Sequence, residues 1–420
     1  MPNNEPQSPD SAPSPAPNSD LPTPNSQLPA PNSQLPASGS KLPTPNAMTP
    51  EQLAEAKRYG RAQLACDLAD KGLDLAYLSV AALLLARPLD AWLSETPLLA
   101  QFDTLRLTVL YLAIFLLHVA VSFPLSCFAG HVLEHRYGMS TQSFGQWLSR
   151  YAKRMGLAGA LALLMFIGLF WVIWLSGSYW WLVAAGAFFL VSVVLGQVFP
   201  VLILPLFYDV EPLDRPDLAE RIRTLAEPAG LSIQGVYRLG LSVETKKANA
   251  MLAGLGRTRR VLMGDTLLDE FTVDETAVVF AHEIGHHAHR HLPKLLAAGL
   301  LAGTAGFWLC DRALAFWLGL AGEPIDYSTL PVAALPWIML CLAVFGLLIE
   351  PLQNALSRRF ERQSDRYALD ATGQPAVYRS AFLKLARLNK DDPDPHWLEV
   401  ALFHSHPPIG QRLALADPDV

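Results

Sequence analysis

Charge is scarce in this sequence. Asp, Glu, Lys and Arg make up 17% of its 420 residues against 51% hydrophobic ones, too little for an ordinary soluble enzyme of this size. That balance points to a membrane protein. A basic excess is lacking too, with 32 Lys and Arg against 38 Asp and Glu, so nothing suggests nucleic acid as a partner. The four cysteines, Cys66, Cys127, Cys310 and Cys341, form no CxxC and no disulfide-like spacing. They read as small buried hydrophobes in reducing surroundings. The N-terminus has neither the basic start nor the apolar stretch of a secretory signal. Residues 1–50 are instead dominated by Pro, Asn, Ser and Gln, with PNSQLPA at Pro24 and again at Pro31. Such a tail cannot bury a core and is expected to be disordered.

Long apolar runs take the place of charge. Residues 51–74 alternate charge with Ala and Leu, a helix lying against the membrane or leading into it. Six stretches then come near the roughly 20 residues that cross a bilayer. They are 73–93, 105–129, 155–175, 179–204, 295–320 and 330–352. Lys57, Arg58, Arg61 and Lys71 precede the first, and Arg136, Arg150, Lys153 and Arg154 lie between the second and third; residues 176–178 and 322–329 contain no Lys or Arg. By the bias of basic residues towards the inner side, both termini and the soluble part belong in the cytoplasm.

The soluble part falls between the fourth and fifth stretches. Residues 214–230 read as a helix, with Pro216 near its start and Gly230 past its end. The short runs 235–241, 247–255 and 259–265 suggest a small antiparallel sheet, one edge of which could hold an extended peptide.

Chemistry enters with HEIGH, His282 to His286. Residues four apart share a helical face, so His282 and His286 can bind one Zn²⁺ with Glu283 beside it as general base. Thr272 followed by Glu275 is a capping-box signature, and Val278, Val279 and Phe280 give the helix a buried side. His287, His289 and His291 are expected to be solvated or interfacial. A catalytic zinc keeps three protein ligands and an open position. The metzincin continuation is absent, with His289 and Leu292 where Gly and His are required. Between His286 and Phe360 the only glutamates are Glu323 and Glu350, each bordering an apolar segment. In NALSRRFERQSDRYAL, however, Asn354, Arg358, Glu361 and Asp365 fall on one helical face. Glu361 is therefore the expected third ligand and Asp365 the carboxylate that orients a ligating histidine.

HEIGH, the N-x-x-S-R-x-x-E-x-x-x-D segment from Asn354 to Asp365, and the HPP at His406 with the later Arg412 together resemble the type I CAAX prenyl endopeptidases, a family of integral-membrane zinc proteases. PLFYDVEPL, ANAMLAGLGRTRRVLMGDTLL and EHRYGMSTQSFGQWL extend the resemblance over roughly residues 73–412. It implies substrate pairing at Asn249 and Ala250, and substrate or transition-state contacts from His406 and Arg412. Without it, the stretch from His404 to Pro408 is a polar turn, and His404 a surface residue. Eukaryotic members resemble a seven-helix barrel around a water-filled chamber, one helix more than the six stretches here.

The expected fold is mainly α, a polytopic membrane protein with about six transmembrane helices and a small α+β zinc-metalloprotease domain on the cytoplasmic side. Its parts are 1–50 (tail), 51–204 (amphipathic helix and four spans), 205–294 (catalytic, with HExxH), 295–352 (two spans) and 353–420 (third ligand and HPP). The expected function is a membrane zinc endopeptidase, one Zn²⁺ per chain, acting on a peptide or protein substrate, prenylated or membrane-bound, from a prokaryotic inner membrane or an ER-type one. Two alternatives compete: a quality-control protease of the heat-shock type, and a zinc-stabilised scaffold without activity. Glu283 argues against the scaffold, because structural zinc needs no base.

Overall fold

The computed structural model describes residues 47–231, 235–254, 260–319 and 326–417. Most of the low-complexity tail, and Glu323, lie outside the described residues. The first helix starts at Thr49, whose hydroxyl accepts from the Gln52 N–H at 3.3 Å while Gln52 Oε1 accepts from the Thr49 N–H at 2.9 Å, a reciprocal cap. α1 (Pro50–Val80) passes through a π turn at Ala81–Leu85 into α2 (Ala86–Ser94). The charged leader and the first apolar stretch are thus one 45-residue helical run. α3 (Asp103–Cys127), α4 (Phe144–Ser176) and α5 (Trp180–Val198) follow. Between α4 and α5, Gly177 takes φ 53°, a left-handed conformation that favours a residue without Cβ.

Further helices are α6 (Pro216–Ala226), α7 (Val273–Ala288), α8 (His291–Gly319), α9 (Leu335–Thr372), α10 (Pro375–Asn389), α11 (Trp397–Phe403) and α12 (Ile409–Ala414). Among the described residues, five helical stretches are long and apolar enough to cross a membrane. One of them, Phe144–Leu206, contains both α4 and α5, so each of the six expected segments falls on a helix. α9 carries the last apolar stretch and the NALSRRFERQSDRYAL segment as one continuous helix, with Pro351 inside it. Leu84, Leu164, Leu190, Leu301 and Leu348 are exposed, as a lipid-facing surface requires.

Inside the helical part, Leu107, Tyr111, Phe170, Ile173, Trp180, Phe307 and Leu335 form one buried cluster. A fully buried carboxylate, Asp311, is satisfied there: Trp180 Nε1 donates to it at 2.8 Å and Tyr327 OH at 2.5 Å. Polar groups at such depth persist when hydrogen-bonded.

The sheet corrects the antiparallel expectation. Its strands β1 (Val210–Pro212), β2 (Gly235–Leu239), β3 (Ala250–Ala253) and β4 (Arg260–Gly264) lie in the order β1-β2-β4-β3. β2 and β4 are parallel, and the other two pairs antiparallel. Asp265, directly after β4, accepts from the Leu241 and Ser242 N–H groups at 2.9 Å each. The chain leaving β2 is therefore anchored across the end of β4, and β3 is delivered to the far edge. A hairpin from β2 to β3 is excluded. On one face of the sheet, Val261 and Met263 pack with Leu218 and Ile222 of α6, Val278, Phe280 and Ile284 of α7, and Tyr378 and Phe382 of α10. Burying a side chain of Phe280's kind contributes about 1.5–3 kcal/mol, enough for this cluster to fix α7 against the sheet.

Candidate active site

α7 begins as its sequence dictates. Thr272 Oγ1 accepts from the Glu275 N–H at 3.2 Å, and Glu275 Oε2 accepts from the Thr272 N–H at 2.9 Å. Three turns on, His282 and His286 place their Nε2 atoms 3.3 Å apart. Gly285 lies between them, and a Cβ there would stand 2.7 Å from Ser364 Cα, so α7 and α9 meet backbone to backbone. That contact brings Glu361 to the histidines, with Oε2 3.1 Å from His282 Nε2 and Oε1 3.3 Å from His286 Nε2. All three side chains offer ligand atoms within 4.8 Å of one another.

The chemistry of this cluster suits a divalent cation. Glu361 Oε2 is buried and faces His282 Nε2. Burial pushes the His282 pKa down, but the bonds to Asp365 and Glu361 outweigh it and lift the value to about 9. His282, His286 and Glu361 thus offer two imidazole nitrogens and a carboxylate at one point, a donor set that suits zinc. Asp365, itself fully buried, lies with Oδ1 2.9 Å from His282 Nδ1; a proton on Nδ1 would leave Nε2 free as a ligand.

His282 and Glu283 border a cavity of about 530 Å³, whose walls include Asn249 and Ala250 on the sheet edge and His404, His406 and Arg412 from the C-terminal segment. The structure therefore brings together every residue expected at the site, yet distributes them differently. Arg412 is buried rather than facing the cavity mouth: its Nε donates to Asp365 Oδ2 at 3.0 Å and its Nη2 to Asp365 Oδ1 at 2.6 Å. His406 opens on the cavity, its Nε2 3.4 Å from Glu361 Oε1. The crowding of the cleft pushes its pKa down, and Arg412 and the two motif histidines add to that against the pull of Glu361.

Two histidines depart from expectation. His404 is half-buried and lines the cavity, Nε2 3.2 Å from Glu399 Oε1. His291 is buried, not solvated: its Nδ1 lies 3.0 Å from His286 Nδ1 and its Nε2 2.8 Å from Gln363 Oε1, and it stacks on Phe360 with ring centroids 4.2 Å apart. α7 ends at Ala288 and Arg290 takes φ 53°, so the chain doubles back and His291 no longer follows the periodicity of α7. His289 is exposed and His287 half-buried. The expected face of α9 has two uses. Glu361 and Asp365 serve the cluster, while Asn354 Nδ2 donates to Leu402 O at 2.8 Å and Arg358 Nη1 to Val400 O at 2.7 Å, fixing α11 and the loop that bears His406.

Residues 212–418 match the family model described as peptidase family M48, and residues 35–209 the one described as CAAX prenyl protease N-terminal, five membrane helices. The chain belongs to peptidase family M48. It is a metalloendopeptidase built into a membrane. Within 35–209 the described residues of this M48 peptidase form three long apolar stretches, the third made of two helices. It is 28% identical over 305 residues to the uncharacterized metalloprotease YhfN of Bacillus subtilis, covering 72% of this chain and 71% of that protein. It is 27% identical to a CAAX prenyl protease 1 homolog of Arabidopsis thaliana (70% and 69% covered) and 26% identical to CAAX prenyl protease 1 of Saccharomyces cerevisiae (72% and 70%). Its fold is that of S. mikatae Ste24p in the crystal, with a TM-score of 0.75 at 20% identity over 88% of this chain and 90% of that one.

Proposed function

We propose that this chain is a zinc endopeptidase of the CAAX type, cutting near the C-terminus of prenylated or apolar peptides. The observation that carries the proposal is the convergence of His282, His286 and Glu361, with His282 and Glu283 on a cavity that the edge of the sheet borders at Asn249 and Ala250. His282, His286 and Glu361 would hold one Zn²⁺, which when bound supplies a Lewis acid and a water acidified to a pKa near 7. Glu283 then takes the proton of the attacking water and delivers it to the departing amine. His406, on the cavity wall, offers an N–H to the carbonyl oxygen as it gains charge. Asp365 holds His282, and His291 holds His286. A substrate strand lies along Asn249 and Ala250, where main-chain pairing accepts many sequences. The prenylated substrate is carried over from relatives described as CAAX prenyl proteases.

The reading also sets the soluble part and both termini in the cytoplasm, on the strength of the Lys and Arg asymmetry. Its test is cleavage of a farnesylated CAAX peptide and of an unprenylated apolar one by purified protein with measured zinc content. Both should be cut, with modest preference, and both cleavages should vanish in Glu283→Gln and with a chelator. Prenylated peptide cut no faster than by Glu283→Gln, alongside degradation of unrelated membrane-protein fragments, would favour the quality-control function.

A further inference from the structure

One residue on the cavity wall has no part in this scheme. Asn389 is the last residue of α10, and its side-chain amide makes both bonds that a neighbouring strand would make to Ala248: Oδ1 accepts from the Ala248 N–H at 2.9 Å and Nδ2 donates to Ala248 O at 3.3 Å. Ala248 stands two residues before Ala250, on the chain segment entering β3. In the antiparallel pair of β3 and β4, Asn249 lies opposite Gly264 and its carbonyl accepts from the Gly264 N–H at 2.9 Å. Asn249 therefore directs its backbone groups inward. By the alternation of antiparallel ladders, Ala248, Ala250 and Leu252 direct theirs to the outer edge. Asn389 occupies the first of these three positions.

Its side chain is held where it is. Lys390, the C-cap of α10, takes the left-handed conformation with φ 54°, and its ammonium is bound to Glu55 Oε1 at 2.7 Å and to the Tyr137 carbonyl. The end of α10 is thereby tied both to α1 and to the turn after Arg136.

We propose that Asn389 is a register stop on the substrate-binding edge, a specificity-determining residue that mimics one residue of a substrate strand. The inference rests on the peptidase reading above. A peptide pairing with Ala250 and Leu252 meets no such side chain at Leu252 among the described residues. In the other direction it meets Asn389 after about two residues, some 7 Å along the strand. A substrate antiparallel to β3 has its C-terminal end on that side. The site thus accepts long N-terminal portions and releases short C-terminal fragments, an endopeptidase that trims ends.

The test uses the full-length zinc-loaded protein and one parent peptide lengthened by one to four residues at either end. For the wild type, C-terminal extension should lower kcat/KM by about tenfold or more, the loss expected when one or two buried hydrogen bonds must be broken. N-terminal extension should have little effect. In Asn389→Ala the ratio of extended to parent rates should rise towards one with zinc content unchanged, and Asn389→Asp, which still accepts from the Ala248 N–H but cannot donate, should fall between. Indifference of the wild type to C-terminal extension, or sensitivity to N-terminal extension instead, overturns the stop. So does an Asn389→Ala protein with the wild-type ratio; should that variant not fold, the wild-type series and Asn389→Asp decide. Failure of the wild type to cut even the parent above the Glu283→Gln background overturns the peptidase reading itself, and this inference with it.

Discussion

Arg412 grips Asp365 with two hydrogen bonds, Nε to Oδ2 at 3.0 Å and Nη2 to Oδ1 at 2.6 Å, and the same Oδ1 lies 2.9 Å from His282 Nδ1. The guanidinium thus acts on the proposed metal through two intermediaries. It also neutralises a carboxylate with no exposed surface, and stripping a buried pair of one partner is worth about 3–5 kcal/mol.

The first prediction follows from that order. Glu361→Ala should lose zinc outright, whereas Asp365→Ala and Arg412→Ala should weaken zinc affinity by about 10- to 100-fold. Excess zinc should then restore much of the activity to the Asp365 and Arg412 variants and none to Glu361→Ala. Metal content after dialysis against graded chelator measures this. Full zinc occupancy in Glu361→Ala would remove Glu361 from the ligand set.

His406 should behave in the opposite way. It faces the cavity and leaves the metal cluster complete without it. His406→Ala should keep its zinc yet lower kcat by about 10²–10³-fold, the usual loss for one oxyanion donor. Steady-state kinetics on a zinc-saturated preparation separates kcat from KM; a change in KM alone would make His406 a binding residue only.

Much of this site was legible in the sequence because helical spacing is strict. His282 and His286 share a face of α7, and Glu361 and Asp365 share a face of α9 with Asn354 and Arg358. The apolar runs likewise marked the helices, since length alone qualifies a segment to span a bilayer. What escaped depends on turns and on contacts distant in sequence. His291 lies five residues past His286, but only the reversal at Arg290 folds it back. The parallel pairing of β2 and β4 depends on Asp265 gripping residues 23 and 24 positions earlier. Arg412 matched a motif, but its partner is 47 positions away, so its direction could not be read from spacing.

Topology gives a prediction independent of catalysis. The proposed orientation puts Ser328 outside and Asp392 inside, and both are solvent-accessible positions. Ser328 is exposed and Asp392 lines the cavity. In a cysteine-free background, Ser328→Cys in intact cells should react with a membrane-impermeant maleimide, while Asp392→Cys should react only after permeabilisation. Reversed labelling would put the active site on the outer side and set aside the inference from Lys and Arg.

The last prediction concerns the pair that fastens α7 to α10. Glu275 Oε2 accepts from Lys384 Nζ at 2.6 Å, and Glu275 Oε1 from Ser380 Oγ at 2.6 Å; both Glu275 and Lys384 are buried. Burial tends to raise the Glu275 pKa, but the bonds from Lys384, Ser380 and the Thr272 N–H overcome it and hold the pKa below the ordinary 4.5. A carboxylate whose folded pKa is depressed stabilises the fold fully above its unfolded value, and that contribution disappears as the pH falls through the folded value. Thermal unfolding in detergent at constant salt should therefore show Tm flat around neutrality and falling below about pH 4.5. Glu275→Gln should be destabilised at neutral pH by about 3–5 kcal/mol, because Lys384 is left buried without a counter-charge. It should also lose part of the acid-side fall. Adding Lys384→Met should recover stability, since an apolar pair can replace a buried ionic one at little cost. A Glu275→Gln protein whose Tm runs parallel to the wild type across the whole pH range would show that this carboxylate is not the titrating group.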